Sequence, residues 1–199
     1  MGKAQRPGRK KKPIIPVELI NPLDALQHLI ALFNDRGVII GGVAASLLGR
    51  PRLTVDLDAV ILLNIKELPR LMTAAAEAGM TTRVPDAEDF ARKDRVLLLR
   101  HESSGINIDI SLGILPFESE MIERAQDFRL GARHIRLPTP EDLIIMKAIA
   151  HRPKDFEDIR SVAASHPNLD MARIQFWLDQ FGSVLELPNL WKEIEILIG

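Results

Sequence analysis

Apolar and polar positions along the chain alternate between a helical and a strand-like period. Leu23, Leu26, Leu29, Ile30 and Phe33 recur at three- and four-residue spacing, which predicts an amphipathic helix from Asn21-Pro22 to about Asp35. Asn21 is expected as its N-cap, Pro22 as its first helical residue and Gly37 as its stop. Val38, Ile39 and Ile40 then form a short buried strand. Two glycines, Gly41 and Gly42, a stretch of helical character and an Arg50-Pro51-Arg52 turn follow it. Val55 to Leu63 reads as a strand, with Val55, Leu57 and Ala59 on one face and Asp56 and Asp58 on the other. Ile65 to Ala78 is a second amphipathic helix, carrying Leu68, Leu71, Met72 and Ala75 and ended by Gly79. Met80 to Val84 is a short strand, and Pro85 to Arg92 is expected as a charged loop. Arg83, Arg92, Lys93 and Arg95 in this region either flank a nucleotide or form a solvated charge run, the second being the favoured reading.

Arg95 to Arg100 is a strong strand. It turns through Ser103-Ser104-Gly105 into a partner, Ile106 to Leu112. In that partner Ile106, Ile108 and Ile110 share one face, and Asn107, Asp109 and Ser111 the other. Phe117 to Ala125 reads as a short helix, and Arg129 to Leu137 as a bent strand or small hairpin around Gly131. Thr139, Pro140 and Asp142 form a helix start, with Thr139 as N-cap and Asp142 completing a capping box. The helix from Pro140 to about His151 is apolar all round and is expected to be buried on all sides. Two further helices, about Asp170 to Phe181 and Pro188 to Leu197, should pack Met171, Ile174, Phe176, Trp177, Phe181, Leu190, Trp191 and Ile194 onto the preceding ones. The fold class is therefore α+β, a mixed sheet flanked by helices with a C-terminal helical segment. The expected division is a disordered basic tail over 1–13, an α/β core over 14–138 and a helical subdomain over 139–199.

Composition narrows the class. The 199 residues are 46% hydrophobic, enough for one cored domain with an appendage. The chain has no cysteine, which excludes disulfides and thiolate metal sites and suits a reducing cytoplasm. No apolar run approaches the roughly 18 residues of a membrane span. Net charge is −1, but residues 1–12 hold six of the 26 Lys and Arg, leaving 20 basic against 27 acidic residues elsewhere. The basic tail is either a solvated feature or a source of nonspecific attraction to RNA phosphates.

The chemistry concentrates between Gly41 and Asp58. Paired glycines allow a sharp turn and a close approach of an anion. The helix that begins there aims free N–H groups and a positive dipole end at that anion. Asp56 and Asp58 leave one face of a strand and repel each other unless a cation lies between them. Asp109, isolated among isoleucines, needs a partner. On a neighbouring strand about 4.8 Å away it supplies a third carboxylate, a spacing suited to two divalent metals. Lys147, inside the apolar helix, also needs an anion. Nucleotide phosphate is the favoured partner, and Asp155 or Asp158 the structural alternative. Lys154 is a candidate for triphosphate binding, with Asp155 and Asp158 as orienters of Lys147 and Lys154. His151 and His166 lack the partners for a zinc site, and His28 reads as a surface or packing residue.

Gly41-Gly42, a short helix and Arg52-x-Thr54-x-Asp56-x-Asp58 together resemble the active-site motif of the polymerase-beta-like nucleotidyltransferases, most closely the minimal AbiEii toxin-like group. His151-Arg152-Pro153-Lys154-Asp155-Phe156-Glu157-Asp158-Ile159 resembles a second signature of that group. The resemblance spans roughly residues 20–165 and implies a nucleotidyltransferase fold. Asp56, Asp58 and Asp109 would then hold Mg²⁺ in a two-metal site, with Asp109 also the general base. Gly41, Gly42, Ser46, Arg52, Thr54, Lys147 and Lys154 would bind the nucleotide. Many relatives carry Ser where this chain has Gly42, so the phosphate-binding hydroxyl falls to Ser46 or Thr54. The implied reaction moves an NMP from an NTP such as ATP to an acceptor hydroxyl. The implied acceptor is RNA, with tRNA favoured, and the setting a toxin with a cognate antitoxin or a phage-defence pair. Small-molecule transfer of the aminoglycoside type and a catalytically silent RNA- or protein-binding module are the alternatives.

Overall fold

The computed structural model describes residues 15–199. The basic tail expected over 1–13 lies outside the described residues. After a single 3₁₀ turn at Val17–Leu19, α1 runs Ile20–Leu32 and buries Leu23, Leu26, Leu29 and Ile30. The expected cap at Asn21 is corrected: the preceding turn leads straight into the helix, so Asn21 and Pro22 lie inside it. Gly37 does not end α1 either. Asn34 and Asp35, both left-handed at φ 58° and 54°, reverse the chain. Gly37 instead opens β1, Gly37–Ile40, where a Cβ would meet Val60 O at 2.9 Å, Ile61 Cγ1 at 3.0 Å and Ile30 Cγ1 at 3.1 Å. Close helix–strand packing, not a helix cap, accounts for this glycine.

The remaining core elements are α2 (Gly41–Leu48), β2 (Asp56–Leu62), α3 (Leu68–Glu77), β3 (Met80–Thr82), α4 (Ala87–Asp94), β4 (Val96–His101), β5 (Asn107–Gly113), α5 (Pro116–Glu123), β6 (Gln126–Leu130) and β7 (Arg133–Leu137). Most of the charged loop expected over 85–92 is helical: α4 takes in residues 87–94. Its buried residues are only Ala87 and Ala91, Phe90 being exposed, while an Arg92–Glu88 pair one turn apart at 2.6 Å supports the outer side. Five strands form one mixed sheet in the order β1-β2-β5-β4-β3, and β6 and β7 form a separate hairpin. Only β2 and β5 pair in parallel; every other neighbour in the five-stranded sheet is antiparallel. Leu57, Ala59, Ile61, Leu97, Leu99, Ile108 and Ile110 are all buried, so alternate positions on three adjacent strands form one apolar face.

Four helices complete the chain: α6 (Pro140–Ala150), α7 (Pro153–Ser165), α8 (Met171–Val184) and α9 (Leu190–Ile198). Thr139 caps α6, its hydroxyl accepting from Asp142 N at 3.2 Å. The box is not closed in return. The fully buried Asp142 carboxylate accepts from Arg173 Nε of α8 at 2.7 Å and so ties two helices together. The apolar girdle of α6 is buried at Leu143, Ile144, Ile145 and Ala148, while Ala150 is exposed. Trp177 and Phe181 stack edge-on against Phe117 with ring centroids 5.2 and 5.5 Å apart. Phe176, expected in the core, is 56% exposed: it meets the cluster only from its outer side, edge-on to Trp177 with ring centroids 5.2 Å apart. No described helix is long and apolar enough to cross a membrane. Substituting Gly37→Ala should lower the unfolding free energy by about 1–3 kcal/mol, the usual cost of overpacking. Urea denaturation checks this, and an unchanged midpoint contradicts the packing assigned to Gly37.

Candidate active site

The parallel pair decides where the acids lie. Asp58 stands opposite Asp109, and Asp56 opposite Asn107. The intervening residues of both strands are buried on the apolar face, so all three carboxylates emerge on the other. They line a single cleft of about 560 Å³ between the sheet and α6–α7. Burial and then the neighbouring Asp109 push the Asp58 carboxyl above the usual carboxylate range, and Asp56 adds to this. Lys147 and the backbone N–H of Gly42 act in the opposite direction. Asp109 accepts a hydrogen bond from Arg83 Nη2, so the arginine assigned to a solvated charge run is at the site. Among the described residues no three His, Asp or Glu side chains already converge as a metal-ligand cluster. The donor set nonetheless fits a hard cation: carboxylate oxygens on one face, with an excess of negative charge at Asp56 and Asp58.

The glycine turn is built around the same acids. Gly41 has φ +65°, and a Cβ there would collide with the Asp58 carboxylate. Gly42 is constrained differently: its Cβ would collide with Thr54 Oγ1 and stand 3.3 Å from Arg52 Nη2. The Thr54 hydroxyl thus fills the space a side chain at position 42 would need, and Thr54 lines the cleft. Ser46 does not. It is buried, and its Oγ donates to Gly42 O at 2.9 Å and lies 3.2 Å from Arg52 O. The expected phosphate role of Ser46 is therefore corrected. A serine one turn into a helix bonds back to the carbonyl four residues earlier, and here it pins the Arg52 backbone instead of facing a ligand.

Opposite the acids stands a basic wall carried by α6, α7 and the loop before β2. Lys147 is 5% exposed, and its Nζ lies 2.8 Å from both Asp155 Oδ1 and Asp158 Oδ2. Arg152 Nε donates to Asp155 Oδ2 at 2.6 Å. Arg52 grips Asp158 with two bonds, Nε to Oδ1 at 2.6 Å and Nη2 to Oδ2 at 2.8 Å. Burial alone would raise the Asp155 carboxyl, but bonds from Arg152 and Lys147 outweigh it and hold the group below the usual range. The Asp158 carboxylate raises the Arg52 guanidinium in turn. Two aspartates thus organise three cations, and Lys154 lines the cleft beside them with no ion-pair partner among the described residues. Lys147 takes both aspartates at once, the arrangement weighed against direct phosphate contact. Arg152 received no role from the sequence. Its signal was the three-residue step to Asp155 across a helix start.

The family model described as "Nucleotidyltransferase of unknown function (DUF6036)" matches residues 20–180. Among solved structures, an antigenic nucleotidyltransferase-like protein from Paracoccidioides brasiliensis is similar at 18% identity and TM-score 0.50, covering 88% of this chain and 92% of its own. The antibiotic-resistance factor ANT(2'')-Ia is similar in a solution structure at 14% identity and TM-score 0.54, covering 83% of this chain and 93% of its own. Its crystal structure with adenylyl-2''-tobramycin aligns at 16% identity and TM-score 0.55, covering 82% of this chain and 98% of that one. These likenesses establish a shared fold. No curated protein matches the chain.

The raised Asp58 carboxyl has a consequence for stability. Its folded-state pKa lies above the unfolded value, so the stability tied to this group is fully present below the unfolded pKa. That stability is lost as pH rises through the folded one. Asp58→Asn should therefore raise the melting temperature of the metal-free protein at pH 7, with the gain shrinking as pH falls into the carboxylate range. Thermal melts across pH check this, and a variant less stable than wild type at pH 7 contradicts it.

Proposed function

Because the chain belongs to the nucleotidyltransferase family described as DUF6036, we propose that it moves an NMP unit from an NTP to an acceptor hydroxyl, with RNA as the acceptor. The observation that carries this reading is the Asp58–Asp109 pairing, which sets the acids on one face of the cleft opposite a basic wall. Asp56, Asp58 and Asp109 are the residues that would hold Mg²⁺. Held by these carboxylates, Mg²⁺ would neutralise charge on the phosphates of an in-line displacement. Asp109 takes the proton from the acceptor hydroxyl as its oxygen bonds to the α-phosphorus and the bond to the β-phosphate bridge breaks. Pyrophosphate leaves. The Gly41-Gly42 turn admits the triphosphate close to the main chain, and Thr54, Arg52 and Lys154 orient it. Lys147 braces this wall through Asp155 and Asp158 and adds positive potential at the cleft.

A polynucleotide acceptor is supported by the charge of that wall. Arg52, Lys147, Arg152 and Lys154 outnumber Asp155 and Asp158 there. Arg52 also borders a second groove of about 430 Å³, where Arg50 adds a further cation while Arg160 is paired with Glu157 at 2.6 Å. A phosphate backbone is attracted along that wall, whereas a polycationic aminoglycoside would be drawn to the acidic row across the cleft. The similarity of fold to ANT(2'')-Ia keeps the small-molecule reading as the runner-up. Three acids gathered in one cleft support an enzyme over a silent binding module, which has no need of them. The motif resemblance to AbiEii-like proteins supports a cytoplasmic toxin–antitoxin or phage-defence setting. Incubation with each labelled NTP, Mg²⁺, total tRNA and an aminoglycoside tests the reading. Label should appear on tRNA, and Asp56→Ala should lower transfer roughly 100-fold or more, a loss of a few kcal/mol of transition-state stabilisation. Label on the aminoglycoside alone would favour the runner-up. No label on any acceptor, with nucleotide binding intact, would favour the silent module.

A further inference from the structure

We propose that Arg83 is the positioning residue of the acidic row: it holds Asp109 while no metal is bound and competes with the metal for that carboxylate. The inference rests on the nucleotidyl-transfer reading above and concerns how the same site is loaded. Arg83 lies one residue beyond β3, yet its backbone continues the ladder, its N–H donating to Leu98 O at 3.1 Å. Thr82 stands opposite Leu99, so Arg83 falls opposite Leu98. Leu98 stands opposite Asp109, and Asp109 opposite Asp58. Four adjacent strands therefore contribute Arg83, Leu98, Asp109 and Asp58 to one cross-strand row, and side chains of one row share a face. Two strand spacings, about 10 Å in all, separate the backbones of Arg83 and Asp109. A long arginine meeting an aspartate spans that gap across the Leu98 position.

The pair contributes little to folding. Its side chains are 29% and 39% exposed, the range in which ion pairs add little stability. What Arg83 changes is the charge of the row. Without it, Asp109 would stand directly opposite Asp58, and near Asp56, with no cation of its own. A guanidinium keeps its proton at all working pH values, so it yields Asp109 only by swinging away. A metal arriving with a triphosphate brings an anion that the freed guanidinium can meet, while a metal arriving alone does not. Arg83 thereby makes occupation of the acidic row depend on nucleotide.

Titration of the full chain with Mn²⁺ in the absence of nucleotide, read by the EPR signal of free Mn²⁺, tests this without using activity. Arg83→Gln should bind Mn²⁺ about tenfold more tightly than wild type, the scale of one nearby charge in a partly screened site. Adding Asp109→Asn to Arg83→Gln should abolish that gain. A purely structural ion pair would lower the melting temperature of Arg83→Gln and leave its Mn²⁺ affinity at the wild-type value, which would overturn the proposal. If Arg83→Gln does not fold, Arg83→Lys keeps the charge but is too short for the contact. It should show intermediate affinity, and a wild-type value would again overturn the proposal. Wild-type protein that binds no nucleotide in the presence of Mn²⁺ would sink the nucleotidyl-transfer reading itself. Intact Mn²⁺-dependent nucleotide binding with unchanged affinity in Arg83→Gln would sink only the role of Arg83.

Discussion

Everything at the site depends on how β2 lies beside β5. The two strands pair in parallel with Asp58 opposite Asp109, and a slip of one residue would send one aspartate into the core. What prevents the slip is the reverse face. Leu57, Ala59, Ile61, Ile108 and Ile110 are fully buried, and moving that set into water costs far more than a few carboxylate contacts return. The hydrophobic effect, which is indifferent to chemistry, thus sets the registration of the acidic groups. The glycine turn obeys the same constraint from the side: β1 pairs Ile40 opposite Asp58, and Gly41 must lack a side chain because the Asp58 carboxylate is already there.

The second constraint is charge. Carboxylates gathered on one sheet face repel, and burial raises the cost at Asp58. The opposing wall is organised by two aspartates that each serve more than one cation, so that Lys147, Arg152 and Arg52 are fixed relative to one another. Removing the buried Lys147 leaves two buried carboxylates short of a cation, at about 3–5 kcal/mol, whereas the partly exposed Arg52 and Arg152 are screened by water and cost less to remove. The wall is therefore rigid for electrostatic reasons, while the acidic side is left incomplete. This asymmetry suits a site that is finished by a metal and a polyphosphate, since the missing positive charge lies among the acids and the missing negative charge lies along the wall.

Much of this was legible in the sequence because it rests on short-range patterns. The alternation of Asp56 and Asp58 with Val55, Leu57 and Ala59, and of Asp109 with its isoleucines, gave both strands and the face of each acid. Thr139-Pro140 placed the start of α6. Contacts between distant segments carried no such signal. Arg83 looked like one arginine in a charged stretch, since its partner lies 26 residues away and depends on the order of four strands. Ser46 and Thr54 were equivalent hydroxyls until the helix turned one inward and the loop turned the other towards the cleft. Gly37 read as a helix stop because glycine commonly is one. The packing of Ile30 and Ile61 that requires it is tertiary. Most of α4 looked like a loop because a helix resting on two alanines shows little hydrophobic periodicity.

The most direct test of the account is anomalous diffraction from crystals grown with Mn²⁺ and a non-hydrolysable NTP. Manganese density should touch Asp56, Asp58 and Asp109, with the triphosphate running from the Gly41-Gly42 turn towards Arg52 and Lys154. Manganese bound elsewhere, or a triphosphate on the opposite face of the sheet, would contradict this arrangement.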